Sequence, residues 1–364
     1  MSEGDCMIRN LILYCRAGFE KECSAELLER AKRFGQAEVV SAAQGSGYCR
    51  SRFPDEKSAR ECARSLSFSS LTFARQMFAA SDEIGPLSAG DRVAPLVAAM
   101  MNAGLHGSDI FIETADTNEA KQLSPLCRKL SGPFKGALET AGLLQQNKWK
   151  NSADDSRLHV FFTATDRAHV GFSYQGNSSP WHMGIPRLKF PSSAPSRSTL
   201  KLEEAFVVFL SDEDRARRLR RGLTAIDLGA SPGGWTWQFV SHGMKVVAVD
   251  NGDMDGRLLG SGLVQHVHGD GFTFVPKKPV DWMVCDIVEQ PSRVARLAAQ
   301  WLAKGWCRCS IFNLKLPMKK RYEEVNRSRE IVGSELAQSA VRYDLSIKQL
   351  YHDREEVTGF ARLL

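Results

Sequence analysis

Four ionisable residues each sit at the edge of a short apolar run, where a strand can deliver a side chain to a cleft. Lys315 follows Phe312-Asn-Leu314, Asp286 follows Met283-Val-Cys285, Glu356 precedes Val357-Thr358, and Lys201 lies in Ser196-Arg-Ser-Thr-Leu-Lys201. Lysine accepts a proton only when uncharged, and burial or a second cation nearby favours that state. Two lysines with two carboxylates supply such a setting. Lys315 is the expected base, Asp286 and Glu356 hold and polarise it, and Lys201 depresses its pKa. Glu355 stands as an alternative to Glu356. A positioned base of this kind suits a poorly acidic acceptor such as a hydroxyl.

The segment Ala225-Ile-Asp-Leu-Gly-Ala-Ser-Pro-Gly-Gly-Trp235 reads as a buried strand, a glycine-rich turn and a helix from about Gly234. Asp227 is expected at the strand end, facing the cleft. Asp250 ends the next strand at the offset where an acidic side chain meets a ribose diol. A dinucleotide would want G-x-G-x-x-G and a pyrophosphate on the helix N-terminus. Gly229, Gly233 and Gly234, with Ser231 and Pro232 between them, do not match that spacing. A phosphate-free nucleoside such as S-adenosylmethionine fits better, because Asp227 favours its cationic groups. Asp270, in Gly269-Asp-Gly-Phe272, is placed to reach an adenine amino group.

These residues need elements to hold them. In the second half, Ala225–Leu228, Val246–Val249, Trp282–Cys285 and Ile311–Leu314 are apolar strands, with helices at Leu200–Leu210 and Val294–Lys304. Continuous apolar strands separated by helices predict a parallel, doubly wound α/β sheet with ligands beyond the strand carboxyl ends. The first half differs. It alternates strands (Ile8–Cys15, Glu38–Ala42, Gly47–Phe53, Leu71–Ala80, Asp109–Glu113) with helices (Phe19–Phe34, Arg92–Ala103, and Glu119–Ala141 interrupted near Pro133). A hairpin follows from Leu158–Thr163 and Ala168–Tyr174. This order predicts α+β sandwiches. Pro180, Pro186, Pro191 and Pro195 mark a connecting arm. The expected division is 1–175, an arm over 176–195, and 196–364.

A chain of 364 residues, 43% hydrophobic, can bury two cores. The net charge of +6 suits a polyanionic partner without requiring one. Nine cysteines without a C-x-x-C pair give no support to a zinc knuckle or redox motif and fit reduced thiols in the cytoplasm; no metal site is expected. The start, with Glu3 and Asp5, lacks a signal-peptide pattern, and no apolar run spans a bilayer. No heptad pattern suggests pairing, so a monomer is expected.

The combination DLGASPGGW, VVAVD, VCDI, FNLKLP and REEV resembles the FtsJ-like 2′-O-ribose methyltransferases and their Lys-Asp-Lys-Glu tetrad. CRAGFEKEC, ADTNEAKQL, GIPRLKFPSSAPSRSTLKLEEAF, FNLKLPMKKRYEEV and QLYHDREEVT extend the resemblance over nearly the whole chain, to the bacterial 23S ribosomal RNA cytidine 2′-O-methyltransferases. The resemblance implies a ferredoxin-like and THUMP-type RNA-binding region followed by a Rossmann-like methyltransferase domain, with 23S ribosomal RNA as substrate. It implies cofactor contacts from Ser198, Ser231, Pro232, Gly233, Gly234, Asp250, Asp270 and Asp286, and Lys315 as base.

Lys319, Lys320 and Arg321, with Tyr322 beside them, follow the expected base closely enough to meet phosphates and a base near the target. Three alternatives weigh less. A base N-methyltransferase lacks its Pro-Pro-aromatic signature after Asp286. A carbon-five enzyme needs a reactive thiol, whereas Cys285 belongs to a core strand. A non-catalytic RNA-binding factor leaves the tetrad unexplained.

Overall fold

The computed structural model describes residues 7–145 and 155–364, so Glu3, Asp5 and Cys6 lie outside the described residues. The chain divides into two compact units, Met1–Ile185 and Pro186–Leu364, and the division falls within the proline-rich arm.

The first unit contains β1 (Asn10–Tyr14), α1 (Glu20–Ala31), β2 (Glu38–Ser41), β3 (Tyr48–Arg52), α2 (Glu56–Ser65), β4 (Gln76–Ala80), α3 (Val93–Asn102), β5 (Asp109–Glu113), α4 (Ser124–Thr140), β6 (Ser156–Ala164) and β7 (Arg167–Tyr174). Its strands form one seven-stranded mixed sheet, ordered β2-β3-β1-β4-β7-β6-β5, as the α+β reading expects. All pairings are antiparallel except β5 with β6. The seam between the halves is short, Ala79 against Phe172 and Ala80 against Gly171. Tyr14, Phe78 and Phe161 pack over it as a buried aromatic cluster.

Two local expectations change. Only Gln76–Ala80 of the run from Leu71 is strand, because the Glu26 carboxylate takes the backbone N–H groups of Thr72 and Phe73 and draws them off the ladder. Helix α4 continues through Pro133. The proline costs one backbone hydrogen bond, and the fully buried Phe134 and Leu138 keep the helix seated.

The second unit contains α5 (Thr199–Phe209), α6 (Asp212–Arg218), β8 (Thr224–Leu228), α7 (Gly234–Ser241), β9 (Lys245–Val249), α8 (Gly256–Leu259), β10 (Val264–Val267), β11 (Val280–Cys285), α9 (Pro291–Ala303), β12 (Cys307–Lys315), α10 (Arg321–Gln338), β13 (Tyr343–Lys348) and β14 (Glu356–Leu363). The sheet order is β10-β9-β8-β11-β12-β14-β13. Strands β8 to β12 are mutually parallel, as the apolar runs predict. Strand β14 instead runs antiparallel to both β12 and β13, which makes the sheet mixed. An antiparallel strand begins where its parallel neighbours end, so the first residue of β14 arrives at their carboxyl edge. Phe206 of α5 packs edge-on against Phe239 and Trp282, which fixes α5 against the sheet.

Candidate active site

Strand β12 ends at Lys315 and strand β14 begins at Glu356, and these two residues are register partners. Lys315 Nζ donates to Glu356 Oε2 at 2.6 Å. From helix α5, Lys201 Nζ donates to the other oxygen of the same carboxylate, Oε1. Asp286, just past β11, faces both amines, with Oδ1 3.7 Å from Lys315 Nζ and Oδ2 3.9 Å from Lys201 Nζ. The four residues expected to act together therefore meet at one point. Glu355 does not exchange roles with Glu356. It points to the other side of the chain and pairs with Arg321 at 2.6 Å.

Burial alone would lower the Lys201 amine, but Asp286 and Glu356 outweigh it and raise it above the ordinary lysine range. Burial likewise pushes Glu356 up, and the hydrogen bonds from the two lysines outweigh it and hold the carboxyl below its usual range. Lys201 is thus a firmly protonated cation and Glu356 a firmly ionised anion. Lys201 is also the less exposed lysine, its side chain 16% accessible against 26% for Lys315.

The turn after β8 packs closely against neighbouring side chains. Gly233 caps α7 at a φ of +115°, a left-handed conformation that glycine adopts without strain. A Cβ there would lie 2.3 Å from Leu258 Cδ1, and one on Gly234 would lie 2.1 Å from Ser198 Oγ. Ser198 in turn contacts Ser196 Oγ at 2.6 Å, and its carbonyl accepts from Trp235 Nε1. Asp250, past the end of β9, accepts backbone N–H bonds from Ser231 at 3.0 Å and Gly252 at 2.7 Å, which aim its carboxylate beside the turn. Asp270 is exposed and caps its own turn by accepting from Phe272 N at 2.9 Å. Pro232 follows a cis peptide bond.

Asp227 departs from expectation. It does not face the cleft but is fully buried, accepting from Thr236 Oγ1 at 2.7 Å. Burial pushes its carboxyl up to about 7, against the Thr236 bond, with Asp286 and Asp250 adding to the rise. The penultimate position of β8 turns this side chain under α7. Cys285 is a buried core thiol pushed by burial to about 12, which removes it as a nucleophile.

The basic run past Lys315 is only partly available. Lys319 and Lys320 are exposed and Tyr322 is half-buried, whereas Arg321 opens α10 with its guanidinium on Glu355.

Residues not singled out by spacing complete the site. Asn313 Nδ2 donates to Asp286 Oδ1 at 2.8 Å, and Thr358 Oγ1 bonds Asn313 Oδ1 at 2.8 Å. Both are fully buried, as is Asp353 beside Thr358. The available signal was period two. Asn313 precedes Lys315 by two and Thr358 follows Glu356 by two, so each shares a sheet face with its tetrad neighbour. Among the described residues, no group of three or more His, Cys, Asp or Glu could hold a metal ion, and no helix is long and apolar enough to cross a membrane.

Three family models match the chain: the RlmM ferredoxin-like domain over residues 8–78, the N-terminal region of ribosomal RNA large subunit methyltransferase M over 91–174, and the FtsJ-like methyltransferase over 194–321. The ribosomal RNA large subunit methyltransferase M of Methylococcus capsulatus is 49% identical over 98% of both chains. That of Klebsiella pneumoniae is 46% identical over 98% of this chain and 97% of its own. Among solved structures, a possible methylase from Clostridium difficile 630 aligns over 97% of each chain at 14% identity with a TM-score of 0.34. With relatives this similar end to end, and the Lys-Asp-Lys-Glu cluster assembled at the sheet's carboxyl edge, the chain belongs to the ribosomal RNA large subunit methyltransferase M family.

Proposed function

We propose that this protein transfers a methyl group from S-adenosylmethionine to the ribose 2′-hydroxyl of a cytidine in 23S ribosomal RNA, with Lys315 as general base. The single observation that carries the reading is the sharing of one carboxylate, Glu356, by both lysines, with Asp286 facing the pair.

S-adenosylmethionine, when bound, supplies an electrophilic methyl group on a sulfonium. The residues present fit such a cofactor. The turn at Gly233 and Gly234 is packed so closely on Leu258 and Ser198 that no Cβ fits, which holds its backbone in place, and the Asp250 carboxylate is held by two backbone N–H groups beside it. Ser198, Ser231, Pro232, Gly233, Gly234, Asp250, Asp270 and Asp286 are the residues that would hold it. Asp227 supports them from beneath, through Thr236.

A 2′-hydroxyl becomes a competent nucleophile only as its proton leaves. Asp286 and Glu356 raise the Lys201 amine, which makes it the poorer proton acceptor, and the more exposed Lys315 is assigned that role. Asp286 and Glu356 then stabilise the ammonium that forms at Lys315 Nζ. Lys319 and Lys320 would meet phosphates flanking the target, and Tyr322 would lie against a neighbouring base. Arg321 holds the start of α10 through Glu355. The N-terminal unit would add RNA contacts.

Mapping alkali-resistant linkages in 23S ribosomal RNA from cells with and without the gene tests the substrate. One cytidine linkage present only with the protein is the expected result, and an unchanged map overturns the assignment.

A further inference from the structure

Behind the lysine pair, Asp286, Asn313, Thr358 and Asp353 form a continuous row of hydrogen-bonding side chains, the last three fully buried. The donors and acceptors along it can be counted. Asp286 lies opposite two lysine amines, and the Asn313 amide nitrogen donates to its Oδ1 at 2.8 Å. The Asn313 carbonyl oxygen must then face Thr358 Oγ1, also at 2.8 Å, and takes the single hydroxyl proton. Thr358 Oγ1 is left with lone pairs only, directed at the Asp353 carboxyl, whose oxygens lie 3.2 and 3.1 Å away. Asp353 Oδ2 already accepts from Leu350 N at 2.9 Å. Were Asp353 ionised, those lone pairs would face an anion at a fully buried position, which is costly. The contact becomes a bond if Asp353 Oδ1 carries a proton and donates it to Thr358.

We infer that Asp353 is a neutral carboxylic acid at the head of a one-way relay, Asp353 to Thr358 to Asn313 to Asp286, which orients Asp286 and spares the lysine pair a third negative charge. The inference rests on Lys315 being the base. The groups facing Asp353 agree with it. Glu356 on β14 and Glu204 on α5 are carboxylates, and burial followed by those two acids, against Lys201 on α5 and the Leu350 N–H, pushes the Asp353 carboxyl well above its usual range. Glu204 accepts from Tyr351 N, His352 N and His352 Nδ1, so the turn leading into Asp353 is tied to the helix that carries Lys201. With Asp353 neutral, two carboxylates face two lysines, whereas a third carboxylate would favour the charged form of both amines.

Asp353, Thr358 and Asn313 are positioning residues, and their test separates relay from mere packing. The wild-type enzyme should show an infrared carbonyl stretch of a buried carboxylic acid that is missing from Asp353→Asn. The absence of such a band from the wild-type-minus-Asp353→Asn difference spectrum, where Asp227 cancels, overturns the inference whatever the other variants do. Asn can still donate to Thr358, so Asp353→Asn should restore most of the roughly tenfold kcat lost in Asp353→Ala. The acid limb of its kcat–pH profile should stay where the wild type has it. A limb displaced by about one pH unit to lower pH means that a negative charge was removed, and the relay is wrong. Thr358→Val should lower kcat about tenfold with KM for S-adenosylmethionine and RNA unchanged, and Thr358→Ser should recover it. An unaltered kcat in Thr358→Val overturns the relay. Full activity in Lys315→Met would instead refute the base itself, while the infrared band would still report on Asp353.

Discussion

Lys315 and Glu356 are 41 positions apart in sequence and directly opposite across the antiparallel pair β12 and β14, with Nζ and Oε2 at 2.6 Å. Because Glu356 offers its other oxygen to Lys201, it is the hinge of the charge arrangement. The first expectations concern these charges.

Replacing Lys315 with Met should reduce single-turnover methylation by two to four orders of magnitude, the usual span for loss of a general base. Calorimetric affinity for S-adenosylmethionine should be unchanged, since Lys315 is not among the cofactor contacts. A rate within threefold of wild type would exclude Lys315 as the base.

Glu356→Gln should remove a pH-dependent part of stability. The folded pKa of Glu356 lies below its unfolded value. Its contribution is therefore present above the unfolded pKa, about 4.3, and is lost as pH falls through the folded one. Denaturant midpoints from pH 7 down to 3 should converge for variant and wild type at the acid end and separate toward neutrality.

Asp227 has the opposite sign. Its carboxyl is pushed up to about 7, so the folded state holds a proton that the unfolded chain releases near pH 4, and stability declines between these values. Asp227→Asn keeps an acceptor for Thr236 and has no charge to bury. Its unfolding free energy should lack that decline and exceed the wild type by a few kcal/mol at pH 8. A wild-type curve flat between pH 4 and 7 would contradict the assignment.

Gly233→Ala places a Cβ 2.3 Å from Leu258 Cδ1 at a φ of +115°. Strain and overpacking together should cost about 2–4 kcal/mol. Cofactor affinity should fall at least tenfold, read by equilibrium dialysis. Binding equal to wild type would show that the turn does not shape the pocket.

Lys319→Ala with Lys320→Ala should weaken RNA binding and lower the slope of log affinity against log salt by one to two. The rate at saturating RNA should change little. Arg321→Ala should behave differently, losing thermal midpoint through the freed Glu355 and the start of α10.

Much of the site was legible because strand ends follow from local patterning. Asp286 and Lys315 stand immediately past apolar runs, and Asp250 ends a third, so the parallel sheet brings them to one edge however the helices pack. The glycine turn was legible because its spacing excludes a pyrophosphate cradle. Asp227 was misplaced because whether a penultimate strand residue faces the cleft or lies under the helix depends on α7, whose seating against the sheet is a tertiary matter.

The sequence by itself determined the residue types, their positions at strand ends and the two-part organisation, since hydrophobic periodicity and glycine spacing act over a few residues. Only the tertiary structure decided that β14 runs antiparallel beside β12, and therefore that Glu356, not Glu355, closes the lysine pair. Strand direction is set by long-range pairing, which no local pattern encodes. The same pairing buried Asn313, Thr358 and Asp353 in one hydrogen-bonded row, bringing together residues from two strands and a turn.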